Sequence, residues 1–346
     1  MLTTAKETFF SKNIMIDEIL NKKKEFSKED ILFLLKLTDK KEIGKLFNKA
    51  LQIKKKFFEE KIYMQGVIQF SNYCEKDCSF CGISANSEVD RFRMNPEDIL
   101  SSAKEIIKNG ITSIVLQSGE DLYYDTDMIS YLIYSIKQIS NVSVTLNLGE
   151  RDFKEYEAWK IVGADSYFMK FETSNKKLYQ SFQKKSTFEK RLKHFEVLKE
   201  IGYKIGSGNL IGLPEQTLED LADDLIFAKN LNPDFLTFTP FVPSLDFKNN
   251  APKVDNYVLK SIAISRIIFP DKYIISSSAM DETKNLSREK GFKCGANAVM
   301  ANFTPSNYRE KYVVYPHSSK NNFDPPHLMA FLKKRIESDG LKIITK

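Results

Sequence analysis

Cys74, Cys78 and Cys81 stand in a C-x₃-C-x₂-C run, YCEKDCSFCG, and the chain has one other cysteine, Cys294. Three thiolates can hold three irons of a [4Fe–4S] cube. Such cubes normally take four cysteines, so the fourth iron is left open to another ligand. A zinc site fits less well. Structural zinc wants four ligands, and the nearest histidine, His194, lies more than a hundred residues further on. A disulfide framework fails on parity and on the few cysteines in a chain of 346 residues.

The cysteines must be presented by a scaffold, and the text around them reads as alternating strands and helices. Candidate strands are 62–70, 112–118, 142–148, 166–170, 203–211, 234–240, 272–277 and 295–301. Helical periodicity fills the intervals, for example 96–109, 126–139, 187–201 and 217–230. Eight β-then-α units predict a complete (β/α)₈ TIM-type barrel. Residues 1–60 predict an N-terminal helical cap over one end of it. Ser27 with Asp30, and Asp39 with Glu42, mark two helix starts. The barrel would span 61–302, and 303–346 would be a loop-rich closing segment of the same domain, with a helix at 325–339.

The chemistry-bearing segments fall just past strand ends, where a barrel builds its site. The cysteines follow the first strand, QSGED (117–121) the second, LGE (148–150) the third and KFETSN (170–175) the fourth; GNLIGLP (208–214) ends the fifth. Composition adds exclusions. No run of about 18 apolar residues offers a membrane span. The N-terminus lacks a secretory pattern, so a cytoplasmic location is expected. The net charge is +6, but its lysine runs have acidic neighbours and no interleaved aromatics, so nucleic acid is not an expected partner. The three histidines sit in no nucleophile motif.

The cysteine spacing resembles that of the radical S-adenosylmethionine (SAM) enzymes. FSNYCEKDCSFCG, DRFRM (90–94), IVLQSGED (114–121), NLGE (147–150), SGNLIGLPEQT (207–217) and KCGANAVMANFTPS (293–306) together resemble the [FeFe]-hydrogenase maturases of the HydE type. That family is similar to biotin synthase and to methylornithine synthase (PylB). The resemblance implies an oxygen-sensitive enzyme with a [4Fe–4S] cluster on Cys74, Cys78 and Cys81. SAM would bind the open iron, and one electron would split it into methionine and a 5′-deoxyadenosyl radical.

The same resemblance implies the remaining roles. Phe80 would lie beside adenine. Gly119 and Glu120 would meet the SAM amino group, Glu172 its ribose and amino side, and Arg191 its carboxylate. Gly208, Ile211 and Gly212, with Pro214, would support the adenine. The implied substrate is a cysteine-bound iron carbonyl cyanide unit made by a partner maturase. Lys170, Ser277, Ser278, Thr304 and Tyr308 are the expected contacts for its anionic ligands. Implied partners are an electron donor such as ferredoxin or flavodoxin, and the other maturases HydG and HydF.

Two departures from the family stand out. HydE proteins often carry three further cysteines near the C-terminus, and here SSKNNFDPPHL (318–328) has none. Where the family has Arg-His-Glu after strand four, this chain has Lys170-Phe171-Glu172. Lys keeps the charge but cannot donate bidentately, which bears on the substrate rather than on SAM. Two other readings stay open: a radical SAM mutase or synthase of the methylornithine synthase or biotin synthase type, and a non-catalytic metal-binding protein.

Overall fold

The computed structural model describes residues 15–22, 26–243, 254–315 and 324–344. Eight parallel strands close into a barrel: β1 (Lys61–Ser71), β2 (Ser113–Ser118), β3 (Ser143–Asn147), β4 (Ser166–Phe168), β5 (Lys204–Ile211), β6 (Phe235–Pro240), β7 (Tyr273–Ile275) and β8 (Ala298–Asn302). Each lies within a few residues of its predicted span. A ninth strand, β9 (Lys342–Ile344), adds parallel to the start of β1, outside the closed ring. The closing segment therefore ends in a strand after its helix, Pro325–Glu337, which the sequence reading did not anticipate.

Local chemistry explains the helix starts. Ser27 and Asp30 exchange both bonds of a capping box, and so do Thr217 and Asp220. Asp39 caps Lys40–Phe58 by accepting from the amides of Lys41 and Glu42. Lys28–Lys36 packs on Leu218–Leu231, and Lys40–Phe58 packs on Asp255–Ile268, along the flank of the barrel. Lys260 of Asp255–Ile268 also ties down the end of Lys28–Lys36 by donating to the carbonyls of Leu35 and Leu37. The far end of Lys40–Phe58 lies at the barrel floor, where Phe58 meets Tyr63 and Tyr273.

Alternation along the strands sorts the side chains into two sets. Ile62, Met64, Ile68, Ile114, Leu116, Val144, Leu146, Phe171, Ile211 and Val299 join the core between sheet and helices. The opposite set fills the barrel. Its floor is apolar: Phe168, Phe235, Ile275 and Ala298 pack with Tyr63 and Met300, and the Phe168 and Phe235 rings stack at 5.8 Å. Above the floor the same face turns polar. Asn302 Nδ2 donates to Gln69 Oε1 at 2.7 Å, and the Thr237 and Thr239 hydroxyls lie 3.4 Å apart. A bulge in the pairing of β1 with β2, between Gln69 and Ser71, bends the strand just before the cysteine loop.

Candidate functional site

The cysteine loop folds over the C-terminal mouth of the barrel and is tied to the β2 loop. Glu75 N donates to Glu120 O at 2.9 Å, and Glu120 N donates to Cys74 Sγ at 3.3 Å. The approach is close enough that a Cβ on Gly119 would overlap the Tyr73 carbonyl oxygen and press on Cys74 Cβ. Gly119 thus serves the seating of the cysteine loop, where the sequence reading assigned it to the ligand alone. Behind it, Arg93 pairs with Asp121 at 2.8 Å and stacks between Tyr73 and Tyr123.

The three thiols are close enough to feel one another. Burial raises Cys74; burial, with Cys81 and Cys74 beside it, raises Cys78 well above its usual range; burial brings Cys81 to about 11. Among the described residues, no three His, Cys, Asp or Glu side chains converge on a single ion position. Three thiols on one loop, each able to take its own iron, suit a cluster better than one zinc that needs four ligands. The positive charge of bound irons would displace the thiol protons that burial favours.

Sequence reasoning missed the centre of the polar network. Glu150, at the end of β3, is almost fully buried and accepts from Arg191 Nε (3.0 Å), Lys76 Nζ (3.0 Å) and the Ser186 hydroxyl (2.7 Å), with Lys190 at 3.3 Å. Burial pushes its carboxyl up, but Arg191, Ser186 and Lys76 outweigh that and hold it at about 2. Lys76 comes from inside the cysteine loop and also meets Glu120 Oε1 at 3.2 Å. Glu120 accepts from the Glu150 amide at 2.8 Å. Burial, the largest influence on Glu120, raises its carboxyl despite Lys76. A third strand-end carboxylate beside Glu120 and Glu172, and a cation inside the cysteine run, were the signals available.

Arg191 reaches the same region from the inner face of helix Phe188–Ile201. Its Nη1 donates to the Lys170 carbonyl at 2.9 Å, so it joins the ends of β3 and β4 as well as facing the site. Glu172 has φ +63°, a left-handed conformation that is costly for a residue with a side chain, on the order of 1–3 kcal/mol. Its carboxylate pairs with Lys170 Nζ at 3.0 Å, and both charges act on Cys81.

On the far side of the mouth, Phe80 packs with Leu178, Phe182, Leu210, Leu213 and Phe241. The β5 residue in the cluster that Phe80 packs against is Leu210. Ile211 belongs to the outer core instead. Gly208 pairs with Thr237 in the sheet, and Gly212 turns the chain at φ +94°. Gln216 holds that turn by accepting from the amides of Gly212 (2.7 Å) and Leu213 (3.2 Å).

The expected substrate contacts separate. Lys170 faces the site. Thr304 is buried at the barrel top, where its hydroxyl accepts from Gln69 N at 2.7 Å. Ser277 caps a short 3₁₀ turn through Ala279 N, and Ser278 is exposed. The Tyr308 hydroxyl donates to Asp98 Oδ2 at 2.8 Å and its ring packs on Phe92, at the contact with helix Pro96–Lys108. Residues 318–323, in the segment without accessory cysteines, lie outside the described residues.

The radical SAM superfamily model matches residues 68–228. The [FeFe] hydrogenase maturase subunit HydE of Thermotoga maritima is 40% identical over 304 residues, 86% of this chain and 87% of that protein. The 3-methylornithine synthase of Methanosarcina acetivorans is 28% identical, over 80% of this chain and 79% of that one. In three dimensions, the crystal structure of methylornithine synthase (PylB) superposes with a TM-score of 0.81 at 23% identity, covering 95% of this chain and 97% of the other.

Proposed function

We infer the function from one premise: the chain belongs to the HydE family of radical SAM enzymes. Its cofactors are accordingly a [4Fe–4S] cluster with three cysteine ligands, Cys74, Cys78 and Cys81, and SAM. Bound together, they supply a 5′-deoxyadenosyl radical by one-electron cleavage of the S–C5′ bond.

The substrate we propose is a cysteine-bound iron carbonyl cyanide unit, attacked at its cysteine sulfur on the way to the hydrogenase cluster. The observation that carries this reading is the polar layer inside the barrel. Between the Phe168–Phe235 floor and the cysteine loop lie Gln69, Asn302, Thr237 and Thr239, with Lys170 at the mouth. Amides and hydroxyls can donate to cyanide and carbonyl ligands, and one cation matches a small anionic complex. Of the substrate contacts named above, we assign this role to Lys170 and Thr304. Phe80, Leu210 and Leu213 form an apolar wall suited to adenine. Glu120, Glu172 and Arg191 place two carboxylates and a guanidinium around the amino-acid end of SAM. An electron donor such as ferredoxin or flavodoxin, a HydG-type maturase that makes the substrate and a HydF-type acceptor are the proposed partners.

The test is incubation of the reduced, reconstituted protein with SAM and the iron–cysteine product of a HydG-type enzyme. The expected result is consumption of the complex with formation of 5′-deoxyadenosine, and restored hydrogenase activity in cells that lack HydE. SAM cleavage without either outcome would reject the iron complex in favour of an amino-acid-like substrate, the class implied by methylornithine synthase.

A further inference from the structure

Asp224 sits on helix Leu218–Leu231, outside the barrel, and is fully buried among Leu221, Ala222, Leu225 and Ala228. A carboxylate is an expensive occupant of such an apolar face. Burial lifts it to about 6 even against the donors around it. Among the described residues it has no ion-pair partner, and its hydrogen bonds go elsewhere. Oδ1 accepts from Ser174 N (2.5 Å), Ser174 Oγ (2.7 Å) and Thr173 Oγ1 (3.3 Å). Oδ2 accepts from Asn209 Nδ2 (2.9 Å) and Gln216 Nε2 (3.4 Å).

These donors come from two segments, and both hold Glu172. Thr173 and Ser174 follow it directly. Asn209 is its bridge partner on β5, where Leu210 N donates to Glu172 O at 2.8 Å and Glu172 N donates to Gly208 O at 3.3 Å. Gln216 secures the turn just beyond, through Gly212 and Leu213. One buried carboxylate thus gathers the chain after Glu172 and the strand beside it. A strained φ of +63° persists only where its surroundings enforce it.

We propose that Asp224 is a positioning residue for the SAM site: by tying residues 173–174 to Asn209 and Gln216, it holds Glu172 in its left-handed conformation, with the carboxylate turned into the barrel mouth beside Lys170. The inference rests on the reading that Glu172 contacts SAM, and not on the identity of the substrate. Asp224 touches neither cofactor nor substrate.

The experiment compares Asp224→Asn, Glu172→Ala and the double variant in reconstituted protein. Three quantities are read: iron content, melting temperature, and SAM affinity from the SAM-dependent change in the EPR spectrum of the reduced cluster. Asp224→Asn keeps the size but turns an amide toward donors. It should leave the iron content at the wild-type value and weaken SAM binding about tenfold, the scale of one lost charge-assisted contact. In the Glu172→Ala background, adding Asp224→Asn should cost less than about twofold more, because coupled residues are non-additive. A merely structural role would lower affinity by the same factor in both backgrounds. That result, or an Asp224→Asn affinity within about twofold of wild type, overturns the inference while the Glu172 reading stands. If Glu172→Ala alone leaves SAM affinity unchanged, the underlying reading fails and takes the inference with it. Should Asp224→Asn not fold, Ser174→Ala and Asn209→Ala, each removing one donor, decide by the same comparison.

Discussion

Lys170 Nζ stands 3.0 Å from Glu172 Oε2, so the cation proposed to meet an anionic substrate is already paired with the carboxylate proposed to contact SAM. Both residues follow β4, two positions apart; the left-handed φ of +63° at Glu172 and its bridge to Asn209 break the regular strand there, and its carboxylate still meets Lys170. Both are largely enclosed, with side chains 21% and 14% exposed, so the pair is neither freely solvated nor sealed. Lys170 thus has Glu172 as its partner in the structure and, in the proposed reaction, a substrate anion as a second.

Lys170→Met should separate these duties. Turnover of the iron–cysteine complex should fall at least about tenfold, and SAM affinity by only a few-fold, because a partly exposed pair contributes about 1 kcal/mol or less. The check is substrate consumption and SAM binding measured on the same reconstituted sample. Lys170→Arg should retain both, since the charge stays in place.

Cluster assembly should depend on Cys74, Cys78 and Cys81 and be indifferent to Cys294. Anaerobic reconstitution should give about four irons and four sulfides per chain. Cys74→Ala should abolish this. Cys294→Ala should not, since Cys294 is buried in the outer core. Iron and sulfide analysis decides, and a cluster lost with Cys294 would sink the three-ligand assignment.

Arg191→Ala should damage stability as well as SAM binding. It strips a buried carboxylate, Glu150, of a major partner. Breaking a buried pair from one side costs about 3–5 kcal/mol. Removing both charges together, as Glu150→Gln with Arg191→Met, should cost less than the sum of the single changes. Chemical denaturation of the cluster-free protein measures this without any contribution from the cofactors.

Acid should destabilise the fold in two windows. His194 is buried with Nδ1 on the Tyr156 hydroxyl, and burial depresses it to about 4 from an ordinary 6.5. The unfolded chain takes up that proton first, so stability is lost as pH falls from about 6.5 toward 4, by up to about 3 kcal/mol. His194→Phe should flatten the melting temperature across that window. Glu150, held at about 2 against an ordinary 4.5, contributes stability that is fully present above about pH 4.5 and lost as pH falls toward 2. Glu150→Gln should therefore differ most from wild type near neutrality and converge with it in acid.

Much of this protein is set by spacing along the chain. The C-x₃-C-x₂-C run, eight alternating strand patterns, the Ser27–Asp30 and Thr217–Asp220 caps, and polar segments past the strand ends all report on neighbours within a few residues. Such signals are local, so the barrel, its mouth and its cluster ligands were legible. What only the closed tertiary structure decided is which side chains meet across it. Strand register has a period of two, and that parity puts Leu210 in the cluster against which Phe80 packs and Ile211 in the outer core. Closure brings Lys76 and Arg191, 74 and 41 residues from Glu150, onto one carboxylate. It turns Tyr308 out to Asp98, pairs Lys170 with Glu172, and seats Asp224 against a loop 50 residues away. Each of these contacts depends on where strands end relative to one another around the ring, and no local pattern of residues carries that relation.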